Sequence, residues 1–591
     1  MRETEPNIPQ EYIHERPAVF TDAETDGLVR GFATRYLELK KPIEAGREPA
    51  SLGDIVLDIE QVISRRVSAE LAGRLKSGGY TEEQTRAIVD AAAKRDFSAV
   101  EQLGEKETLS ALGLGLTAEK ARTALVADAI QGLDSSSLRR FGMTPEQRDI
   151  VVQLIKGLES ADPEYVRFKA RAMRGEKYPK RPTDALRESA RVNRGLKQAC
   201  ETLEKQGTGK VFGEAGKDFL EYLGTLEASY RPLTQDGRAK GLGSHTRDAK
   251  EAWVAFQKFV GMHPDFPLIV LPKSDSYVKS EAENLGWDPE IRIFWQSPNQ
   301  REKSRELQSA CQRFVSSIQD NLPDHAEPST MEQIAGIRPI VCDDIGSYGV
   351  NMTFRAEAQE FEKARAFVLI ENRGRSERLD QARENIWGAF GHEWDDIINS
   401  PEFFNLMQAQ LMNHELGHNL YGEESKEVLG LGRQAYDSID EHKADLLAVA
   451  TLHDVVRESS KQAFGERGEE AINLAIIADA LTCSRQAPHG ELDFYRVSAI
   501  NILHRLEQNG VFENGSEGIG LNKEKLHENW SKKVFISQAR ELLDTYKLAG
   551  SELTSEVRRS RSFAKKIAGV EPDALLQKLI ARMKNRAQRD Y

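Results

Sequence analysis

Two histidines four residues apart carry the first chemistry of this chain: His414 and His418, in Asn413-His414-Glu415-Leu416-Gly417-His418-Asn419. On a helix, four residues turn about 400°, so both imidazoles lie on one face, one turn apart. That separation lets two ring nitrogens reach one zinc ion at about 2.0–2.1 Å each. Glu415 lies between them and faces the same cavity, where a carboxylate can take a proton from a metal-bound water without being a ligand. A catalytic zinc also needs a third protein ligand and an open position for water. Glu441 offers that carboxylate further along the chain. Asp445, one turn beyond it on the same expected helix, is spaced to hold the free N–H of a ligand histidine and fix its tautomer.

His-Glu-x-x-His followed by Glu-x-x-x-Asp is the pattern of the glutamate-type zinc peptidases. The longer three-histidine version needs a glycine at 421 and a histidine at 424, where this chain has Tyr421 and Glu424. A nearby segment, Gly391-His392-Glu393-Trp394-Asp395-Asp396, begins in the same way but has Asp396 where the second histidine belongs, and reads as loop or helix surface. Glu441 has a competing reading. Ser438-Ile439-Asp440-Glu441 is also a capping box, in which Glu441 would only reach back to the Ser438 amide. His442 falls on the wrong face for a ligand, and His453 reads as a surface or core histidine.

The helix that must carry the first motif is marked by Ser400-Pro401-Glu402, an N-cap, a proline at the first helical position and an acid in the first turn. Phe403, Phe404, Leu406, Met407, Leu411, Met412 and Leu416 give it an apolar face, and Gly422 is the expected stop. Before it, residues 1–240 read as a helical N-terminal region, with helices over Leu52–Leu75 and Gln147–Leu158 and loop-like stretches at Gly207–Gly213 and Gly237–Ser244. The basic cluster Lys169–Arg181 lacks the aromatic interleaving of a base-stacking surface and reads as a solvated face.

Residues 241–375 read as a β-containing region forming part of a substrate cleft. Its strands are expected at Phe266–Leu271, Ile291–Trp295, Ile337–Val341, Val350–Phe354 and Ala366–Ile370, with a helix at Arg301–Gln319. Tyr348–Phe354 is the candidate edge for a peptide to join, a buried strand being the competing reading. Residues 376–591 read as a helical zinc-binding region. It has a Glu441 helix ending near Val456, amphipathic helices over Glu469–Leu481 and Glu491–Gln508, and a solvated terminal helix pair. The expected fold is mainly α with a smaller β-containing region (α+β), in two lobes.

Composition excludes several classes. The chain has 591 residues, 30% charged and 39% hydrophobic, with a net charge of −13. That balance gives no general attraction to nucleic acid or to an anionic membrane. No apolar run approaches eighteen residues, and the first residues carry no h-region, so a cytoplasmic protein without a membrane span is expected. Cys200, Cys311, Cys342 and Cys483 are scattered without Cys-x-x-Cys spacing and read as reduced thiols. No phosphate-binding loop, Gly-x-Ser-x-Gly or dinucleotide fingerprint is present.

Three motifs together resemble the dipeptidyl peptidase III family: the His414–His418 helix, Asp440-Glu441-His442-Lys443-Ala444-Asp445, and Leu506-Glu507-Gln508-Asn509-Gly510. The similarity covers about the second half of the chain. Most members have one more residue between the two histidines, and at the start of the third helix they place a histidine that stabilises the tetrahedral intermediate. The position matching that histidine here is Tyr495. His504, later on the same helix, is a second candidate, with packing as its competing role. The resemblance implies one zinc ion per chain on His414, His418 and Glu441, Glu415 as general base, and dipeptides cleaved from peptide N-termini. Other readings remain open: a zinc endopeptidase or aminopeptidase, a non-catalytic peptide-binding scaffold, and a metal-dependent hydrolase acting on another substrate.

Overall fold

The computed structural model describes residues 51–77, 79–82, 84–86, 88–89, 121–157, 183–231, 242–272, 291–348, 356–357, 366–421, 433–484, 493–515, 518–548 and 570–587, with 49, 562 and 567. Two compact units divide the chain: 1–300 with 342–354, and 301–341 with 355–591. Helices dominate both, with short strands between residues 268 and 370 and one hairpin near 515. Among the described residues no helix is long and apolar enough to cross a membrane.

In the first unit, helices α1 (Leu52–Ser77), α2 (Pro145–Gly157), α3 (Thr183–Gln206), α4 (Gly216–Ser229) and α5 (Leu242–Met262) precede strands β1 (Leu268–Pro272) and β2 (Ile291–Trp295). The two helices read from the sequence are there, with ends moved by one or two residues, which is where capping rather than periodicity decides. The Gly207–Gly213 stretch, expected as loop, contains a short helix, Thr208–Phe212. Its flanking Gly207 and Gly213 take positive φ, so the glycines mark its ends. The Gly237–Ser244 expectation is corrected in part, because α5 already includes Gly243 and Ser244. Phe212, Phe219, Tyr222, Phe259 and Phe266 pack ring against ring, the Phe219–Phe266 centroids 4.6 Å apart. The Tyr222 hydroxyl donates to the Val270 carbonyl of β1.

Helix α6 (Pro298–Asn321) follows, then β3 (Arg338–Tyr348), which starts in the second unit and ends in the first. β1 and β2 are antiparallel, with Leu268 opposite Trp295. β2 is antiparallel to β3, with Trp295 opposite Asp343 and a bulge at Ile293/Phe294. All five residues of β2 are buried, the charged Arg292 among them. The Lys169–Arg181 cluster and the Val350–Phe354 strand fall outside the described residues.

The second unit holds the antiparallel strands β4 (Ala356–Glu357) and β5 (Ala366–Ile370). Helices α7 (Asp380–Phe390), α8 (Pro401–Gly417), α9 (Arg433–Phe464), α10 (Gly468–Ser484) and α11 (Asp493–Gln508) come next. They are followed by hairpin strands β6 (Phe512–Gly515) and β7 (Gly518–Leu521), then α12 (Ile536–Leu548) and α13 (Ala574–Ala587). The hairpin corrects the expectation that the chain stays helical after α9. α10 is also corrected: its residues from Ala471 to Thr482 are all buried, its polar Asn473, Asp479 and Thr482 included, so it is buried on all sides rather than amphipathic. α11 ends where expected, because Gly510 adopts φ 73°, a conformation that favours glycine. The four cysteines are free, and burial pushes the Cys200 and Cys311 thiols up to about 12.

Candidate metal centre

α8 begins as its sequence dictates. The Ser400 hydroxyl accepts from the Glu402 amide at 3.2 Å, and Pro401 occupies the first turn. His414 sits in its last turn, and His418 follows as the C-cap in helical conformation (φ −60°, ψ −27°), so the two rings keep helical spacing. The helix stops before the expected Gly422, which lies outside the described residues. The turn is made by Tyr421, a non-glycine at φ 56°. Its hydroxyl lies 2.9 Å from His325 Nδ1, and its ring stacks on Tyr546.

α9 runs continuously from Arg433, which removes the capping box: Ser438 and Glu441 are interior to the helix, away from its N-terminus. α8 and α9 lie antiparallel. His414 pairs with Asp445, while the later His418 pairs with the earlier Asp440. They come close because position 417 has no side chain. A Cβ there would stand 3.0 Å from the Ala444 Cα and 3.1 Å from its carbonyl oxygen.

Three ligand atoms converge. His414 Nε2 and His418 Nε2 are 3.1 Å apart, and Glu441 Oε2 is 3.2 Å from the first and 3.6 Å from the second. Four ligands at about 2.0–2.1 Å on a tetrahedral zinc stand roughly 3.3–3.4 Å from one another. The measured triangle brackets that edge. Each imidazole is also fixed from behind: His414 Nδ1 lies 2.7 Å from Asp445 Oδ1, and His418 Nδ1 lies 2.8 Å from Asp440 Oδ2. Both Nδ1–H groups donate to carboxylates, which turns both Nε2 atoms toward Glu441. Glu441 Oε2 is buried and faces no hydrogen-bond donor among the described residues outside these two rings. Atoms of these types at this spacing need positive charge between them, as protons or as a metal ion. The residues therefore fit a zinc ion.

The electrostatics agree. Burial pushes the His414 imidazole down, but Asp445 and Glu441 outweigh it and lift it to about 10; the same opposition, with Glu441 and Asp440 as partners, lifts His418 well above its ordinary value. Burial likewise raises the three carboxylates, yet the cationic neighbours hold Asp440, Glu441 and Asp445 below the usual range. The pocket binds positive charge, as protons or as metal.

Two members of the arrangement were not read from the sequence. Asp440 is the second histidine anchor. Lys443 lies behind it with a fully buried ammonium group, 2.8 Å from Asp440 Oδ1 and 2.5 Å from the Leu420 carbonyl, with the His418 and Tyr421 carbonyls at 3.4 and 3.3 Å. Lys443 thus ties down the carbonyls of the segment that follows α8 and neutralises the aspartate that orients His418. The signal was present: two histidines one turn apart need two anchors, and Asp440 and Asp445 are the acids on either side of Glu441.

Glu415 is half-buried on α8, beside His414. Tyr495, in the first turn of α11, has its ring centroid 6.3 Å from that of His414. His504 is elsewhere. Nine residues on, about 13 Å along α11, its Nε2 lies 3.1 Å from the Glu571 carbonyl and its Nδ1 faces Glu507 and Asp573. His442 is buried against Ser498, where burial pushes its imidazole down to about 4. His453 is a core histidine held by Glu469 and Asn473. His392 is on the surface, 3.2 Å from Asp395.

No family model matches this chain, and no curated protein matches it. Among solved structures it is similar to dipeptidyl-peptidase III from Caldithrix abyssi, at 13% identity and TM-score 0.47, over 86% of this chain and 93% of that one. It is also similar to dipeptidyl-peptidase III from Corallococcus sp. strain EGB, at 13% identity and TM-score 0.40, over 72% and 78%. At that distance neither carries its activity over to this chain.

Proposed function

We propose that the chain is a zinc-dependent peptidase that hydrolyses peptide bonds by promoted-water attack and releases dipeptides from peptide N-termini. The convergence of His414 Nε2, His418 Nε2 and Glu441 Oε2 within 3.1–3.6 Å, with both Nδ1 atoms tied to aspartates, supports this reading most strongly. Three protein ligands of this kind leave a fourth position open, as catalytic zinc sites do and structural ones do not. Zinc held there would acidify water and polarise the scissile carbonyl. Glu415 takes the proton from the attacking water and passes it to the leaving amine. Tyr495, whose ring lies beside His414, donates its hydroxyl proton to the developing oxyanion. Asp440 and Asp445 hold the two imidazoles in the tautomer that ligation needs. Dipeptide release rests on the three-motif resemblance, which also gives peptides as substrates.

Glu415→Gln tests the chemistry. The variant keeps the shape and all three ligands, so it binds zinc as wild type does and loses about 10²–10⁴-fold in kcat. Full activity in the variant would overturn the general-base assignment. Mass spectrometry of peptides cut by the wild type tests the dipeptide ruler; single residues or internal fragments would replace it with an aminopeptidase or an endopeptidase.

A further inference from the structure

His504 and Glu507 stand one turn apart on α11, and Asp573 is the residue just before α13. His504 Nδ1 lies 3.6 Å from Glu507 Oε2 and 3.5 Å from Asp573 Oδ2, and the three ligand atoms are all within 4.8 Å of one another. Two independent contacts fix which atoms face inward. The His504 Nε2 partner is the Glu571 carbonyl, an acceptor only, so that nitrogen donates there and Nδ1 is the atom left facing the two carboxylates. Asp573 Oδ1 is taken by the Leu575 and Leu576 amides, which leaves Oδ2 toward the histidine. One imidazole nitrogen and two carboxylate oxygens therefore converge on one point, a donor set that favours positive charge at its centre.

We propose that His504, Glu507 and Asp573 form a second divalent-cation site, distinct from the His414 centre, that clasps α13 to α11. One imidazole with two carboxylates suits zinc or a similar borderline ion rather than magnesium or calcium, which take oxygen alone. The spacing of 3.5 and 3.6 Å is close to the roughly 3.3–3.4 Å edge of a zinc tetrahedron. With Asp573 still 43% exposed, the site is open to solvent and exchanges its ion. Its role is structural. It fixes the start of α13 against the helix that carries Tyr495, where Arg496 also reaches Glu571 at 3.1 Å.

The test uses the full chain with His414→Ala and His418→Ala, stripped of metal and titrated with zinc chloride by calorimetry, with metal counted after dialysis. The site predicts one zinc per chain in this background, a rise in thermal unfolding temperature on addition, and loss of both when Glu507→Gln or Asp573→Asn is added. Wild type then holds two ions, and Glu507→Gln alone holds one with hydrolysis unchanged, which keeps the test informative should the double-histidine variant fold poorly. No zinc in the double-histidine background, or binding that Glu507→Gln leaves intact, overturns the proposal; a cationic His504 would then be the ion between the two acids. Failure of the central site reads differently, as an ion count that does not fall when both histidines are removed.

Discussion

Gly417→Ala is a one-carbon change that the structure converts into a displacement. An alanine Cβ would meet the Ala444 Cα at 3.0 Å, its carbonyl oxygen at 3.1 Å and the Leu447 Cβ at 3.3 Å. Two of these atoms are backbone and cannot rotate away. Carbon contacts settle at about 3.5–4.0 Å, so α8 and α9 must part by roughly half an ångström. Glu441 rides on α9 and both histidines on α8, so the ligand triangle opens with them. Its 3.2 and 3.6 Å edges become about 3.7 and 4.1 Å, beyond the roughly ±0.2 Å that a zinc site tolerates in its bonds. Overpacking of this kind costs about 1–3 kcal/mol, and zinc affinity should fall by about ten- to a hundredfold, as when orienting partners are lost. Gly224→Ala is the control: it is also in a helix, but its Cβ would have nothing within 4 Å, so it should be neutral or slightly stabilising. Zinc titration and thermal unfolding of both variants decide the matter. Wild-type zinc affinity in Gly417→Ala would refute the argument that helix contact sets ligand spacing.

Lys443→Met should destabilise the fold by about 3–5 kcal/mol, because Asp440 stays buried beside His418 without its cation while the carbonyls just past α8 lose their donor; chemical denaturation measures this. Zinc binding to metal-free protein should release protons from both imidazoles at neutral pH, with affinity rising up to about a hundredfold per pH unit. The sign follows from His414 standing at about 10 and His418 well above its ordinary value without metal. The charged rings stabilise the metal-free protein fully below their unfolded values of about 6.5, and the His414 share is lost as pH rises through about 10. Calorimetry in buffers of different ionisation enthalpy counts the protons, and zero release would contradict the assignment. Tyr495→Phe should lower kcat by about 10²–10³ with little change in KM, since an oxyanion donor acts in the transition state; equal effects on both would reassign Tyr495 to substrate binding.

Much of the site was legible because metal chemistry constrains local spacing. Histidines four apart on a helix with an N-cap at Ser400 fix one face, and Glu441 with Asp445 four apart fix another. What spacing could not give was the antiparallel crossing of α8 and α9. That crossing pairs His418 with Asp440, buries Lys443 and gives Gly417 its purpose. His504 shows the opposite failure: it shares α11 with Tyr495, but a helix separates residues nine apart by more than the reach of a side chain. The helices were readable from periodicity, and the β2 and β5 strands from their β-branched and aromatic residues. The β6–β7 hairpin was missed, because Glu513-Asn514-Gly515 interrupts any alternating pattern. α10 misled because a few charged residues at its start masked its burial.

The most direct measurement is metal content and dipeptide release for the purified wild-type chain beside Glu441→Ala. The wild type should carry firmly bound zinc and free dipeptides from peptide N-termini, and the variant should lose both the central ion and the hydrolysis. An unchanged zinc content with unchanged turnover in Glu441→Ala would contradict the three-ligand site on which the account stands.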